Sequence, residues 1–138
     1  MGEWGRNNAG ISEWVAVAIG GASGAMLRFG AFLWADRVLP KGLPWGTVLV
    51  NVIGSALIGV AFVLLVERGL VSPVWRSFFT VGLLWALTTF SAFSLDAVAL
   101  IESGALARAA LYIVLSVGLC VAAAMIAILL TRAAIQGG

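Results

Sequence analysis

The stretch TTFSAFSLD, residues 88–96, combines four hydroxyl side chains with two phenylalanines in one of the most hydrophobic parts of the chain. A mostly apolar run begins near residue 74 and continues past the stretch, so these polar groups fall inside a candidate membrane span. Polar side chains within a bilayer usually face the interior of a helix bundle or a water-filled path. The stretch therefore indicates a functional segment in a membrane protein.

The composition also favours a membrane protein. Of the 138 residues, 62% are hydrophobic and 10% are charged, and the mean hydropathy is +1.11. A soluble domain of this length could not bury so much apolar surface. Four apolar runs are long enough to span a bilayer, at about residues 14–34, 47–66, 74–101 and 107–130. We predict an all-α membrane protein with four transmembrane helices in one domain, residues 14–131, between a short polar N-terminal segment, 1–13, and a short C-terminal tail, 132–138.

Several function classes lack the residues that they need. The chain has no histidine, the commonest general base, and a single cysteine, Cys120, which excludes an intramolecular disulfide framework. It has no phosphate-binding GxxxxGK[ST] loop, no nucleophile elbow and no long basic patch. We therefore expect neither an enzyme nor a nucleic-acid-binding protein. No cleavable signal peptide is apparent, because the first apolar run is too long for a signal core.

The basic residues outside the spans give almost no topological bias. With four spans, one side of the membrane carries Arg6, Arg68, Arg76 and Arg132, and the other carries Arg37, Lys41 and Arg108. A difference of one charge can still orient a protein, but the same balance is expected of a chain that inserts both ways and forms an antiparallel dimer. Four short helices enclose a polar path poorly, so we expect an oligomer in either case.

Helical spacing places the polar side chains of the other spans. Tyr112, Ser116 and Cys120 share one face of the fourth helix at i, i+4 and i+8. Asn51, in the second span, either makes an interhelical hydrogen bond or offers its amide to a bound ion. Arg28, in the first span, must form an ion pair, snorkel or reach water.

Residues 88–96 contain two features of their own. Thr88 and Thr89 can offer the backbone alternatives to helical hydrogen bonds, which predicts a third helix broken near Thr88. Phe90 and Phe93 are three residues apart and share a helix face. Because ring edges carry partial positive charge, they can join hydroxyls and an amide as donors for a small anion, although plain packing is the alternative for both rings.

Carboxylates are confined to the ends of the predicted spans. Asp96 is nearer the end of the third span than its centre, and it is a possible ion-pair partner of Arg28. Proton-coupled transporters generally need a buried titratable relay. The lack of a central carboxylate favours passive conduction over pumping.

Three blocks of the sequence, GGASGAMLRF (20–29), WGTVLVNVIGS (45–55) and GLLWALTTFSAFSLD (82–96), resemble the signature blocks of the CrcB/Fluc fluoride channels. The resemblance covers about residues 14–131. It implies an antiparallel, dual-topology homodimer with two fluoride pores, which sits in the bacterial inner or plasma membrane and lets cytoplasmic fluoride leak out. The expected partners are therefore fluoride, a second copy of the chain and the lipid bilayer.

The resemblance also implies roles for individual residues. The expected pore residues are Asn51, Thr89, Phe90, Ser91, Phe93, Tyr112 and Ser116. Arg28 is expected at a vestibule. The backbone carbonyl groups of Trp85 and Thr88 are expected to hold a structural Na⁺ between the two subunits.

Two departures from the family pattern qualify these expectations. Trp85 and Ala86 replace two glycines that commonly precede LTTFS, and an indole at position 85 would crowd the dimer axis. Cys120 stands where a serine is expected, and a thiol is a weaker donor. The alternatives are a proton-coupled or other small-anion transporter on the same scaffold, a small multidrug transporter, which would need a carboxylate in the first span, and a non-conducting assembly subunit.

Overall fold

The structure, a computed structural model, describes residues 9–137. Residues 1–8 and 138 lie outside the described residues, and with them most of the predicted N-terminal segment, including Arg6. Within residues 9–137 all regular secondary structure is helical. Four helical spans, Ile11–Val38, Trp45–Glu67, Pro73–Glu102 and Leu106–Gln136, are long and apolar enough to cross a membrane. The prediction of an all-α chain with four such spans is confirmed.

The spans contain five helices. The first span is α1 (Ile11–Val38) and the second is α2 (Trp45–Glu67). The third span contains two helical stretches, α3 (residues 73–87) and α4 (Phe90–Glu102), and the fourth is α5 (Leu106–Gln136). Helix α1 begins inside the predicted N-terminal segment, and α5 continues into the predicted C-terminal tail. The apolar runs therefore mark the centres of the spans, and the helices extend beyond them.

Residues that disfavour helix stand where the spans are connected. Pro73 is the first residue of α3, a position at which its missing N–H costs no hydrogen bond. Gly69 and Gly104 follow α2 and α4 with φ of 61° and 77°, in the left-handed region that glycine adopts without a steric penalty. The connections are short, so consecutive spans run antiparallel.

Helices α1 and α3 pack backbone to backbone through glycines. A Cβ atom on Gly20 would lie 2.5 Å from the carbonyl oxygen of Phe78, and one on Gly24 would overlap the carbonyl oxygen of Leu83. Gly82 faces Gly20 from α3, because a Cβ atom there would lie 3.0 Å from the Gly20 Cα. Such an approach requires the small residues that the sequence places in these helices.

Helices α2 and α5 form the other close pair. A Cβ atom on Gly59 of α2 would lie 2.7 Å from the carbonyl oxygen of Ala124 in α5. At one end of the pair Arg132 of α5 forms an ion pair with Glu67 of α2, with 3.1 Å between Nε and Oε2. This pairing places one face of α5 against α2 and leaves the polar face of α5 beside α4.

A small core lies between α2, α4 and α5. Its buried members are Val48, Phe93, Ala97 and Tyr112. Many large apolar side chains elsewhere are exposed in the single chain, as expected where a surface faces lipid or another chain. The core therefore anchors residues 88–96 through the ring of Phe93, which packs beside the ring of Tyr112.

Candidate functional site

Helical hydrogen bonding stops at residue 88, whose N–H still donates to the Leu84 carbonyl oxygen at 3.2 Å, and it resumes with α4. Thr88 has an extended backbone with ψ of 156°, and Thr89 has φ of −152° and ψ of 118°. Both hydroxyl groups bond to nearby backbone. Thr88 Oγ1 donates to the Leu84 carbonyl oxygen at 3.2 Å, and Thr89 Oγ1 accepts from the Ala92 N–H at 3.1 Å. Thr89 is thus the N-cap of α4, a position that threonine fills well.

Side chains from two other spans bond to the backbone of this segment. Asn51 of α2 donates from Nδ2 to the Thr89 carbonyl oxygen at 2.9 Å, and its Oδ1 accepts from the Thr89 N–H at 2.7 Å. Arg28 of α1 donates from Nη1 to the Thr88 carbonyl oxygen at 3.4 Å. Asn51 therefore makes an interhelical contact, and its amide nitrogen has a second N–H for another acceptor.

An open cavity of about 420 Å³ lies beside this segment, with walls from α2, α3, α4 and α5. Six of the residues that the sequence predicts for the site line it, on α2, α4 and α5 and in the segment between α3 and α4: Asn51, Thr88, Thr89, Phe90, Phe93 and Ser116. Trp85 and Cys120, which depart from the expected pattern, also line the cavity. The structure thus brings most of the selected residues to one place, within a mostly apolar wall.

The two phenylalanines have different surroundings. Their ring centroids are 5.4 Å apart, with the ring planes tilted by 43°. Phe93 is 9% exposed, and its ring centroid lies 5.4 Å from that of Tyr112. Phe90 is 78% exposed. Packing within the chain therefore explains an aromatic ring at position 93, but it does not explain one at position 90.

The polar face of α5 contains one hydroxyl without a partner. Ser116 is 4% exposed, and its Oγ has no hydrogen-bond partner within residues 9–137. An unsatisfied buried hydroxyl costs about 1–3 kcal/mol, so this group gains from any partner that it can reach, but its oxygen is enclosed by protein atoms. Cys120, one turn further along, is half-buried in the same wall. Tyr112 is fully buried and does not line the cavity.

Asp96 is the centre of a polar cluster that the sequence analysis did not identify. Its Oδ2 accepts from Thr47 Oγ1 at 2.6 Å and from the Tyr112 hydroxyl at 3.1 Å. The possible ion pair between Arg28 and Asp96 is wrong, because Arg28 reaches the Thr88 carbonyl group instead. The sequence did contain a signal for Thr47, which precedes Asn51 by four residues and so shares its face of α2.

Two other selected residues lie outside the cavity wall. Ser91 is exposed, and its Oγ is 3.2 Å from Thr89 Oγ1, where either hydroxyl can donate. Arg28 lies behind the segment, against the backbone of Thr88. Ser91 therefore contacts the cavity wall through Thr89, and Arg28 contacts it through Thr88.

The carbonyl groups of Trp85 and Thr88 are the predicted ligands of Na⁺. Thr88 Oγ1 donates to the Trp85 carbonyl oxygen at 3.5 Å, and Arg28 donates to the Thr88 carbonyl oxygen. A carbonyl oxygen has two lone pairs, and such oxygens suit hard cations. The donor set of one chain therefore fits Na⁺ in kind but supplies only part of a coordination shell.

Four apolar spans, with an amide, hydroxyls and aromatic rings around one cavity, define a multi-pass membrane protein of the channel or transporter class. A family model described as CrcB-like protein, Camphor Resistance (CrcB), matches residues 15–128. The chain belongs to this family, and the resemblance noted in the sequence is confirmed.

Curated relatives match nearly the whole chain. The fluoride-specific ion channel FluC of Hahella chejuensis is 48% identical over 122 residues, which are 88% of this chain and 96% of the relative. The protein of the same name from Saccharophagus degradans is 42% identical over 120 residues, 86% of this chain and 89% of the relative. The one from Aeromonas salmonicida is 43% identical over 112 residues, which are 81% of this chain and 90% of the relative. Family and spans together make the chain a multi-pass cell-membrane protein and not an enzyme.

Proposed function

We propose that the protein is a fluoride-selective passive channel that releases fluoride from the cytoplasm. Its relatives are named as fluoride-specific ion channels. The observation that carries the proposal is a single cavity that Asn51, Phe90, Phe93 and Ser116 line together. These groups present hydrogen-bond donors or positive ring edges, and none of the described residues that line the cavity is a carboxylate.

The donor set suits an anion that is small and strongly hydrated. Selectivity for such an ion requires donors that replace its water shell at close range, and conduction requires that none of them holds it too tightly. A hydroxyl, one amide N–H and two ring edges are neutral donors, so no ion pair would trap the anion. The two bonds between Asn51 and Thr89 fix the orientation of the Asn51 amide, and with it the direction of its second N–H.

The other selected residues support this path. Thr89 and Ser91 place hydroxyls at the start of α4, and Tyr112 extends the polar face of α5 beyond Ser116. Arg28 adds a positive charge behind residue 88, which attracts anions toward a vestibule.

The working unit in this proposal is an antiparallel, dual-topology homodimer with two pores. An open cavity, the 78% exposed ring of Phe90 and the near balance of basic residues between the two sides support it. In this proposal the third helix is broken near Thr88 within the dimer. There the carbonyl groups of Trp85 and Thr88 from both chains would hold a Na⁺, which supplies positive charge between the subunits.

The experiment is fluoride efflux from liposomes that contain the purified protein, followed with a fluoride electrode beside chloride-loaded liposomes. We expect rapid fluoride loss without chloride loss, and strongly reduced loss for Phe90→Ile and for Phe93→Ile. Ser23→Ala is the matched control, because the Ser23 hydroxyl donates to the Ile19 carbonyl oxygen of its own helix at 2.9 Å. Equal fluoride and chloride efflux, or unchanged efflux in both phenylalanine variants, would contradict the proposal.

A second candidate is a proton-coupled transporter of fluoride or another small anion on the same scaffold. Asp96 favours it, because this carboxylate lies within the third span and is bonded by two hydroxyls. An imposed proton gradient separates the two functions. A transporter would accumulate fluoride against its gradient and lose this ability in Asp96→Asn, whereas a channel would only equilibrate it.

A further inference from the structure

We propose that the Ser55 hydroxyl and the second N–H of the Asn51 amide together bind one small anion in the cavity. The ligand class is a halide, and the position lies one helical turn further along α2 than Asn51. The identity of the ion as fluoride rests on the proposed function, whereas binding at Ser55 can be measured without any conduction.

Ser55 lies on the face of α2 that forms a wall of the cavity. The α2 residues that line the cavity are Asn51, Gly54, Ser55 and Ile58. They follow one another at i, i+3, i+4 and i+7, which is the spacing of one helix face. A Cβ atom on Gly54 would overlap Cγ2 of Thr88, so this face is turned toward the break between α3 and α4. The side chain of Ser55 therefore starts from the cavity side of α2.

The Ser55 hydroxyl is not used by its own helix. The hydroxyls of Ser23, Ser94 and Thr131 donate to the carbonyl oxygen four residues earlier at 2.7–2.9 Å, whereas Ser55 Oγ forms no hydrogen bond in the part of the chain that the structure describes. Ser55 is half-buried, and its oxygen is not enclosed as that of Ser116 is. Its O–H can therefore donate to a ligand in the cavity.

Asn51 supplies the second donor. One N–H of its Nδ2 donates to the Thr89 carbonyl oxygen at 2.9 Å, and the other N–H remains. Side chains four residues apart on a helix have Cβ atoms about 5–6 Å apart. Two hydrogen bonds of about 2.7–2.9 Å to one ion cover the same distance. A single monatomic anion can therefore accept from Asn51 and Ser55 at once.

The surroundings favour an anion over a cation. The oxygen of the Asn51 amide accepts from the Thr89 N–H, so the amide offers its nitrogen side to a further ligand. None of the described residues that line the cavity is a carboxylate, and Val117 and Val121 add apolar wall. Hydrogen bonds to a charge are stronger in such surroundings than in water. Ser55 therefore supplies a donor where the apolar wall supplies none.

In the proposed channel this position follows the Asn51 amide in series. Four residues of α-helix rise about 6 Å, so an anion that moves from Asn51 toward Ser55 advances by a few ångströms along α2. Conduction requires several weak sites rather than one strong site. Ser55 would thus take the anion over from the amide, and its loss should weaken binding more than it disturbs the fold.

The test measures fluoride binding and fluoride conduction separately, on the purified full-length protein. Calorimetric titration with NaF in detergent, beside NaCl at the same ionic strength, gives the dissociation constant. Currents in planar bilayers at graded fluoride concentrations give the half-saturating concentration. We expect Ser55→Ala to raise both values by about tenfold, as for one lost hydrogen bond to an ion, and Ser55→Thr, which keeps the hydroxyl, to stay within about twofold of the wild type.

Ser23→Ala is the matched control, because it removes a hydroxyl that is bonded to its own helix. It should leave both values unchanged. Equal values for Ser55→Ala and the wild type, or no fluoride binding by the wild type, would overturn the proposal. Equal losses in Ser55→Ala and Ser55→Thr would mean that packing at position 55, not the hydroxyl, is responsible. If the wild type carries no fluoride current, the proposed function fails, and the NaF titration still decides whether the anion site exists.

Discussion

Asn51 and Thr89, 38 residues apart in the sequence, are joined by two hydrogen bonds of 2.9 Å and 2.7 Å. These two bonds satisfy the N–H and the carbonyl group of Thr89, which lies between the helical stretches α3 and α4. In a bilayer no water replaces such partners, so irregular backbone persists only where protein groups bond to it. Asn51 of α2 thereby holds the N-cap of α4, and with it the ring of Phe90, in place.

The first prediction concerns this pair. Asn51→Leu keeps a similar volume but leaves the N–H and carbonyl groups of Thr89 without partners, so we expect the protein to be destabilised by about 1–3 kcal/mol for each group. Thermal unfolding in detergent measures the loss. The control Ser23→Ala should change stability by no more than about 0.5 kcal/mol. Equal stability of Asn51→Leu and the wild type would show that the pair does not hold the segment.

The second prediction concerns the hydroxyl that Tyr112 donates to Asp96 at 3.1 Å. Tyr112→Phe keeps the ring beside Phe93 but removes this bond, which we expect to destabilise the protein by about 1.5–3 kcal/mol, as for bonds to charged groups. In an Asp96→Leu background the same change should cost much less, because the acceptor is already gone. Thermal unfolding of the wild type, the two single variants and the double variant gives the coupling free energy between the two side chains. Purely additive losses would contradict the bond.

The sequence predicted each helix better than it predicted which faces meet. Apolar runs of span length predicted the four helical spans, because a bilayer requires such runs whatever the packing. Helical spacing also placed Tyr112, Ser116 and Cys120 on one face. The extensions of α1 and α5 were not predicted, because helix continues beyond the apolar run wherever polar residues tolerate it.

The sequence contains no comparable local pattern that indicates which residues meet between helices. Asn51 was given two possible roles, and its partner, the backbone of Thr89, has no signature in the sequence. Asp96 was considered for Arg28 because opposite charges attract, but the fold places Arg28 at Thr88 and gives Asp96 two hydroxyls. Spacing along one helix fixes a face, whereas the choice of partner depends on packing among all four spans.

The third prediction tests the contact between α1 and α3. A Cβ atom at Gly24 would overlap the Leu83 carbonyl oxygen, whereas one at Gly21 would meet no atom within 4 Å. We expect Gly24→Ala to destabilise the protein by about 1–3 kcal/mol. Gly21→Ala should be neutral or stabilising by up to about 1 kcal/mol, because alanine favours helix. Melting temperatures in detergent compare the two. Similar losses in both variants would mean that a general effect of alanine, not this contact, is responsible.

The fourth prediction links α2 to residue 88. A Cβ atom on Gly54 would overlap Cγ2 of Thr88, a methyl group whose removal leaves the hydroxyl bond to Leu84 intact. We expect Gly54→Ala to displace residue 88, lower stability by about 1–3 kcal/mol and reduce fluoride efflux. Gly54→Ala with Thr88→Ser should recover most of both, since serine retains the Oγ and lacks the methyl group. Thr88→Ser alone is the control for the lost methyl. A double variant no better than Gly54→Ala would show that the added atom acts elsewhere than at Thr88.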